Sequence, residues 1–65
     1  MKTIEQEDAE MLAEQIRVLL IRQKKTQIEL SVMAGVSKQT VNNNLCLRGK
    51  NTLKNLEKYL YLLNN

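Results

Sequence analysis

The chain contains no proline, tryptophan, phenylalanine or histidine, and only one cysteine, two glycines and two tyrosines in 65 residues. Without proline, and with glycine only at positions 35 and 49, it lacks the punctuation of a many-turned β fold or of a disordered Pro/Gly-rich segment, and 43% hydrophobic residues point to packed helices joined by short turns. A single cysteine cannot close a disulfide within a monomer, and without histidine no His/Cys metal site can be assembled, a pattern that suits a reducing compartment. Cys46 also lacks the imidazole that usually activates a thiolate, so it reads as a small buried hydrophobe rather than a nucleophile. There is no run of about 18 apolar residues and no basic-apolar-small leader, and a cytoplasmic protein is the default expectation. At this length the chain is expected to form one small domain over residues 1–65, near the lower limit for folding without staples.

Those shortages leave little room for an enzyme. Glu10 and Glu14 are four apart and could share a proton or a metal in principle, but they lie in an acidic solvated run with no cleft-forming partner. No catalytic residue, metal ligand or cofactor is assigned.

Charge is divided along the chain. Residues 1–15 hold one lysine against Glu5, Glu7, Asp8, Glu10 and Glu14, whereas the remainder holds nine basic residues against Glu29 and Glu57. The net charge of +3 therefore hides a basic body behind an acidic leader. A basic body is what a polyanion binder needs, because each cation near a phosphate releases counterions. Carboxylates early in a helix are favoured by the macrodipole, which is the plainer reading of the leader beside an autoinhibitory or partner-binding role.

Local signals mark four helices. Thr3-Ile4-Glu5-Gln6 is a capping-box pattern, and the first helix is expected from Ile4 to Lys24 or Lys25 with Leu12, Ile16, Leu19 and Leu20 inward. Thr26 and Glu29 form a second capping box, and Ala34-Gly35-Val36 interrupts the helix that follows. Ser37 is placed to cap a third helix, on which Val41 and Leu45 face inward while Lys38, Gln39, Asn42 and Asn43 face outward. Asn44 falls on the inner side and reads as structural. Three consecutive asparagines are poor helix formers, but the cap and the Val41/Leu45 pair keep this stretch helical. Leu47 is expected to help close the core, and Arg48-Gly49-Lys50-Asn51 reads as a basic turn. Asn51 or Thr52 caps a last helix whose Leu53, Leu56, Leu60 and Leu63 form the inward stripe.

The stretch TQIELSVMAGVSKQTVNNNL, Thr26 to Leu45, resembles the helix-turn-helix of the Cro/C1-type repressors, the lambda-repressor-like or XRE family. Gln27, Leu30, Ala34, Gly35, Val36, Ser37 and Val41 fall where that family places its glutamine, core residues, turn glycine and recognition-helix cap, and the likeness extends over roughly Ile16 to Leu63. Ser31 stands where the family prefers alanine, Asn44 where an apolar residue is usual, and Gly49 comes about two residues late. The resemblance implies an all-α, four-helix DNA-binding domain with a long first helix and a helix-turn-helix over about residues 26–46. It further implies a transcriptional regulator, a repressor in the first instance, bound as a homodimer to a near-palindromic operator in double-stranded DNA.

On that register, Lys38, Gln39, Asn42 and Asn43 are the candidate base readers, because Asn and Gln can pair bidentately with adenine and Lys reaches guanine in the major groove. Gln27, Ser37, Thr40, Arg48 and Lys50 are the candidate phosphate contacts, which position a protein without reading sequence. A solvated helix surface and a solvated loop are the plainer readings of the same residues. Val18, Ile21, Ile28, Val32, Tyr59 and Leu62 are more apolar residues than one small core can absorb, and a homodimer or partner surface is expected among them. A protein-interaction or antitoxin-like module that uses the same fold to bind a protein is the competing functional class.

Overall fold

The computed structural model describes residues 4–64, the side chain of Glu5 excepted. Four helices and no strand occur among them: α1, Ile4–Arg22; α2, Gln27–Ala34; α3, Lys38–Leu45; and α4, Thr52–Asn64. The capping box expected at Thr3 lies outside the described residues.

Ala9, Ala13, Ile16 and Leu20 recur at helical spacing and make the buried face of α1, with Leu12 and Leu19 partly covered beside them. The principal neighbour of α1 is α4. α4 is the central element, because it packs against α1, α2 and α3. Its buried residues are Leu56, Tyr59 and Leu63, while Leu53, Leu60 and Leu62 are only partly covered. This shifts the inward stripe from the one expected, and Tyr59 is corrected from a surface residue to a core residue only 1% exposed. Its ring enters the core because its hydroxyl finds a buried acceptor, Asn44 Oδ1, at 2.8 Å.

Leu30, Ser31 and Ala34 of α2 and Val41, Asn44 and Leu45 of α3 complete the core. Both buried polar residues are satisfied. Ser31 donates to Ile28 O within its own helix at 2.6 Å. Asn44 accepts from Tyr59 and from Asn55 Nδ2 and donates through Nδ2 to Arg48 O. Among the described residues, no buried side-chain nitrogen or oxygen lacks a partner, as a low-dielectric interior requires.

Three successive helices end in the same way, with a left-handed residue whose own amide and the one after it turn back onto the last carbonyls. After α1 the residue is Lys24 (φ 55°), with Lys24 N donating to Ile21 O and Lys25 N to Leu20 O. After α2 it is Gly35 (φ 71°), with bonds to Val32 O and Ser31 O. After α3 it is Leu47 (φ 64°), with Leu47 N bonded to Asn44 O and Arg48 N to Asn43 O. Only the second stop uses glycine. The stop at Lys24 explains why α1 finishes at Arg22, short of the expected boundary. The left-handed turn at Leu47 also carries Cys46 and Leu47 outward, so both are exposed rather than buried as expected.

Side chains from elsewhere in the chain bond carbonyls near the ends of α2, α3 and α4. Lys58 Nζ donates to Ala34 O at 3.0 Å, Arg17 Nη2 to Leu45 O at 3.1 Å, and Gln23 Nε2 to Leu63 O at 2.6 Å. The two cations sit at the negative ends of α2 and α3, where the helix dipole favours them.

Candidate nucleic-acid interface

α2 and α3 are joined by three residues, Gly35 to Ser37, and pack on each other. Both have a cap at the amino end. Thr26 Oγ1 accepts from Glu29 N at 3.2 Å, and Ser37 Oγ accepts from Thr40 N at 3.1 Å while also pairing with Thr40 Oγ1 at 2.9 Å. These bonds fix where each helix begins, and therefore which side chains of α3 face solvent. Val36 tucks partly against the core and holds the turn.

Burial of Val41, Asn44 and Leu45 leaves Lys38, Gln39 and Asn42 exposed, with Asn43 and Thr40 half-buried. The Asn42-Asn43-Asn44 run is helical, as expected from its cap and its apolar partners. Gln39 Nε2 donates to Asn43 Oδ1 at 3.2 Å, so two of the candidate readers hold each other one turn apart along α3. An open groove lies between the first turn of α2 and the outer face of α3, lined by Thr26, Gln27, Ile28, Lys38, Gln39 and Asn42. It contains a cation, three amides and a hydroxyl, and none of its lining residues is a carboxylate. Such a lining can donate to and accept from a polar edge and attract an anionic ligand.

Arg48 and Lys50 are exposed in the loop that leaves α3. The loop is tied to the helix on several sides: Arg48 O accepts from Asn44 Nδ2 and from Thr52 Oγ1, and Gly49 O accepts from Thr52 Oγ1 as well. Thr52 is therefore the first residue of α4, with its hydroxyl bonded backward into the loop, and the first helical bond of α4 runs from Asn55 N to Asn51 O. Gly49 has φ 91°, and a side-chain carbon there would stand 3.3 Å from Asn44 Nδ2. Its late place in the chain thus has a structural reason: the loop passes directly over the buried asparagine.

The six residues expected to include a homodimer or partner surface are placed differently from one another. Tyr59 is in the core, and Leu62 is half-buried against it. Val18 lines a shallow groove between α1 and α4 with Leu19 and Leu60. Ile28 belongs to the α2–α3 groove. Ile21 and Val32 are open to solvent at 77% and 76% exposure. Sequence reading missed the place of Ile28, although it directly follows Gln27 at the start of a capped helix.

No group of three or more His, Cys, Asp or Glu side chains that could hold a metal ion occurs among the described residues. No described helix is long and apolar enough to cross a membrane. No protein-family model matches the chain, and comparison with curated proteins and with solved structures gives no significant match.

Proposed function

We propose that this chain is a sequence-specific double-stranded DNA-binding protein of the Cro/C1 type, acting as a cytoplasmic transcriptional regulator and most simply as a repressor. The observation that carries the proposal is the grouping of Gln27, Lys38, Gln39 and Asn42 around one open groove at the amino end of α3, free of carboxylates. In this account α3 enters the major groove. Gln39, Asn42 and Asn43 present amides to adenine, and Lys38 reaches guanine. Gln27, with the capping Ser37 and its partner Thr40, faces the sugar-phosphate backbone on one side, and Arg48 and Lys50 face it on the other. Arg17 and Lys58 are not assigned to this set, because each has a donor bonded to a carbonyl at the end of α3 or α2, Arg17 to Leu45 O and Lys58 to Ala34 O.

Helix-turn-helix regulators pair on two half-sites about 34 Å apart, so a near-palindromic operator is expected, bound by two copies of the chain. Occupancy of the operator would exclude polymerase sterically. The experiment that tests the proposal is selection of bound duplexes from a random pool, followed by affinity measurement on the recovered sequence and on an unrelated duplex at the same salt. Recovery of a sequence motif supports the proposal, and absence of binding even to random duplex at low salt rejects it. That second outcome would favour a protein-binding module, for which the solvent-facing Ile21 and Val32 are the supporting observation.

A further inference from the structure

We infer that Ile28 is a specificity-determining residue, packing against the C5-methyl group of a thymine beside the bases met by α3. The inference deepens the proposed DNA reading and rests on it.

Ile28 is the one wholly hydrocarbon side chain in the groove lined by Thr26, Gln27, Lys38, Gln39 and Asn42. It is 55% exposed, so the protein itself covers only part of it. Its position is fixed from both sides of the residue: the Thr26 cap sets the first turn of α2, and Ser31 Oγ bonds to the Ile28 carbonyl. A β-branched side chain in a helix has essentially one χ1 setting, so it offers a preformed surface that loses little entropy on contact. Among base edges in the major groove, the thymine methyl is the distinctive apolar group, and its adenine partner displays the N7 acceptor and N6 donor that a carboxamide matches. A groove that sets an alkyl group beside Gln39 and Asn42 therefore has the chemistry of an A·T pair. Contact with a deoxyribose carbon is the competing possibility, and it would not depend on the methyl.

The test uses the duplex recovered by selection, with each thymine replaced in turn by deoxyuridine, which removes the methyl and leaves base pairing intact. The native chain is expected to bind about fourfold more weakly at one or more thymine positions, the change expected for losing one buried methyl-sized group. Ile28→Ala, a change at a half-exposed position, is expected to bind the thymine and uracil duplexes equally. Specific binding with no methyl-sensitive position overturns the inference alone, as does an Ile28→Ala protein that keeps the native thymine preference. Failure to recover any preferred duplex overturns the DNA reading and this inference with it.

Discussion

The hydroxyl of Tyr59 donates to Asn44 Oδ1 at 2.8 Å, with each residue only 1% exposed. This bond joins α3 to the central helix α4, and the same asparagine holds the loop carrying Arg48 through its amide nitrogen. The pair thus connects the core to the geometry of the proposed interface. Tyr59→Phe is expected to cost about 1–3 kcal/mol, since a buried acceptor loses one partner, and to lower Tm by about 4–8 °C per kcal/mol. Asn44→Leu should cost more, because it strands the Tyr59 hydroxyl. The double change Asn44→Leu/Tyr59→Phe should recover part of that loss, since it removes the stranded hydroxyl, and only part, because Asn55 Nδ2 and Arg48 O still lose their bonds to Asn44. Thermal melts of the three variants check this, and a double variant no more stable than Asn44→Leu would refute it.

Burial also pushes the Tyr59 phenol above its ordinary value of 10.0. The folded state therefore holds this proton more tightly than the unfolded state does. The associated stability is complete below about pH 10 and is lost as pH rises through the folded-state value. Urea unfolding at pH 9 and pH 11 should show the native protein losing more stability than Tyr59→Phe, so the gap between them narrows. A gap of constant width would show that the phenol titrates normally.

The left-handed conformation of Lys24 (φ 55°) gives a stabilising substitution. That conformation costs an ordinary residue about 1 kcal/mol or more, whereas glycine adopts it freely. The Lys24 side chain is exposed, so little packing is lost. Lys24→Gly is expected to raise Tm by about 4–8 °C for each kcal/mol recovered. Calorimetry or a circular dichroism melt decides the point, and an unchanged or lower Tm counts against this helix stop.

Much of the architecture was legible because it rests on short-range chemistry. Thr26, Gly35 and Ser37 announce a cap, a stop and a cap within a dozen residues, and each behaves as its side chain dictates. What escaped was set by tertiary partners or by backbone geometry without a residue signature. Lys24 and Leu47 take a conformation that glycine usually marks, and nothing in their side chains advertises it. Tyr59 looked surplus to the leucine stripe, yet Asn44, a polar residue on an inner face, required a buried partner of that kind. Reading the two anomalies together would have placed both. Ile28 looked like spare surface because the groove that contains it forms only when α3 folds back beside α2.

Lys50 lies exposed in the loop after α3, and in the proposed reading it contributes to DNA binding through charge alone. Lys50→Ala should weaken binding to preferred and random duplexes alike, and reduce the slope of log affinity against log salt by about one unit. A salt titration by fluorescence anisotropy measures it. Loss confined to the preferred sequence would reassign Lys50 to base reading.

The most direct test of the account concerns Gln39 and Asn43, which are hydrogen-bonded to each other at 3.2 Å on the outer side of α3. The quantity to measure is the ratio of affinity for the recovered duplex to affinity for a random duplex, at one salt concentration, for the native chain, Gln39→Ala, Asn43→Ala and the double variant. The account predicts that each single change lowers the ratio by about 1–3 kcal/mol while leaving random-duplex binding nearly intact. It also predicts that the double change costs less than the sum of the two, because each amide orients the other. A ratio unchanged in both single variants would contradict the assignment of α3 as the helix that reads sequence.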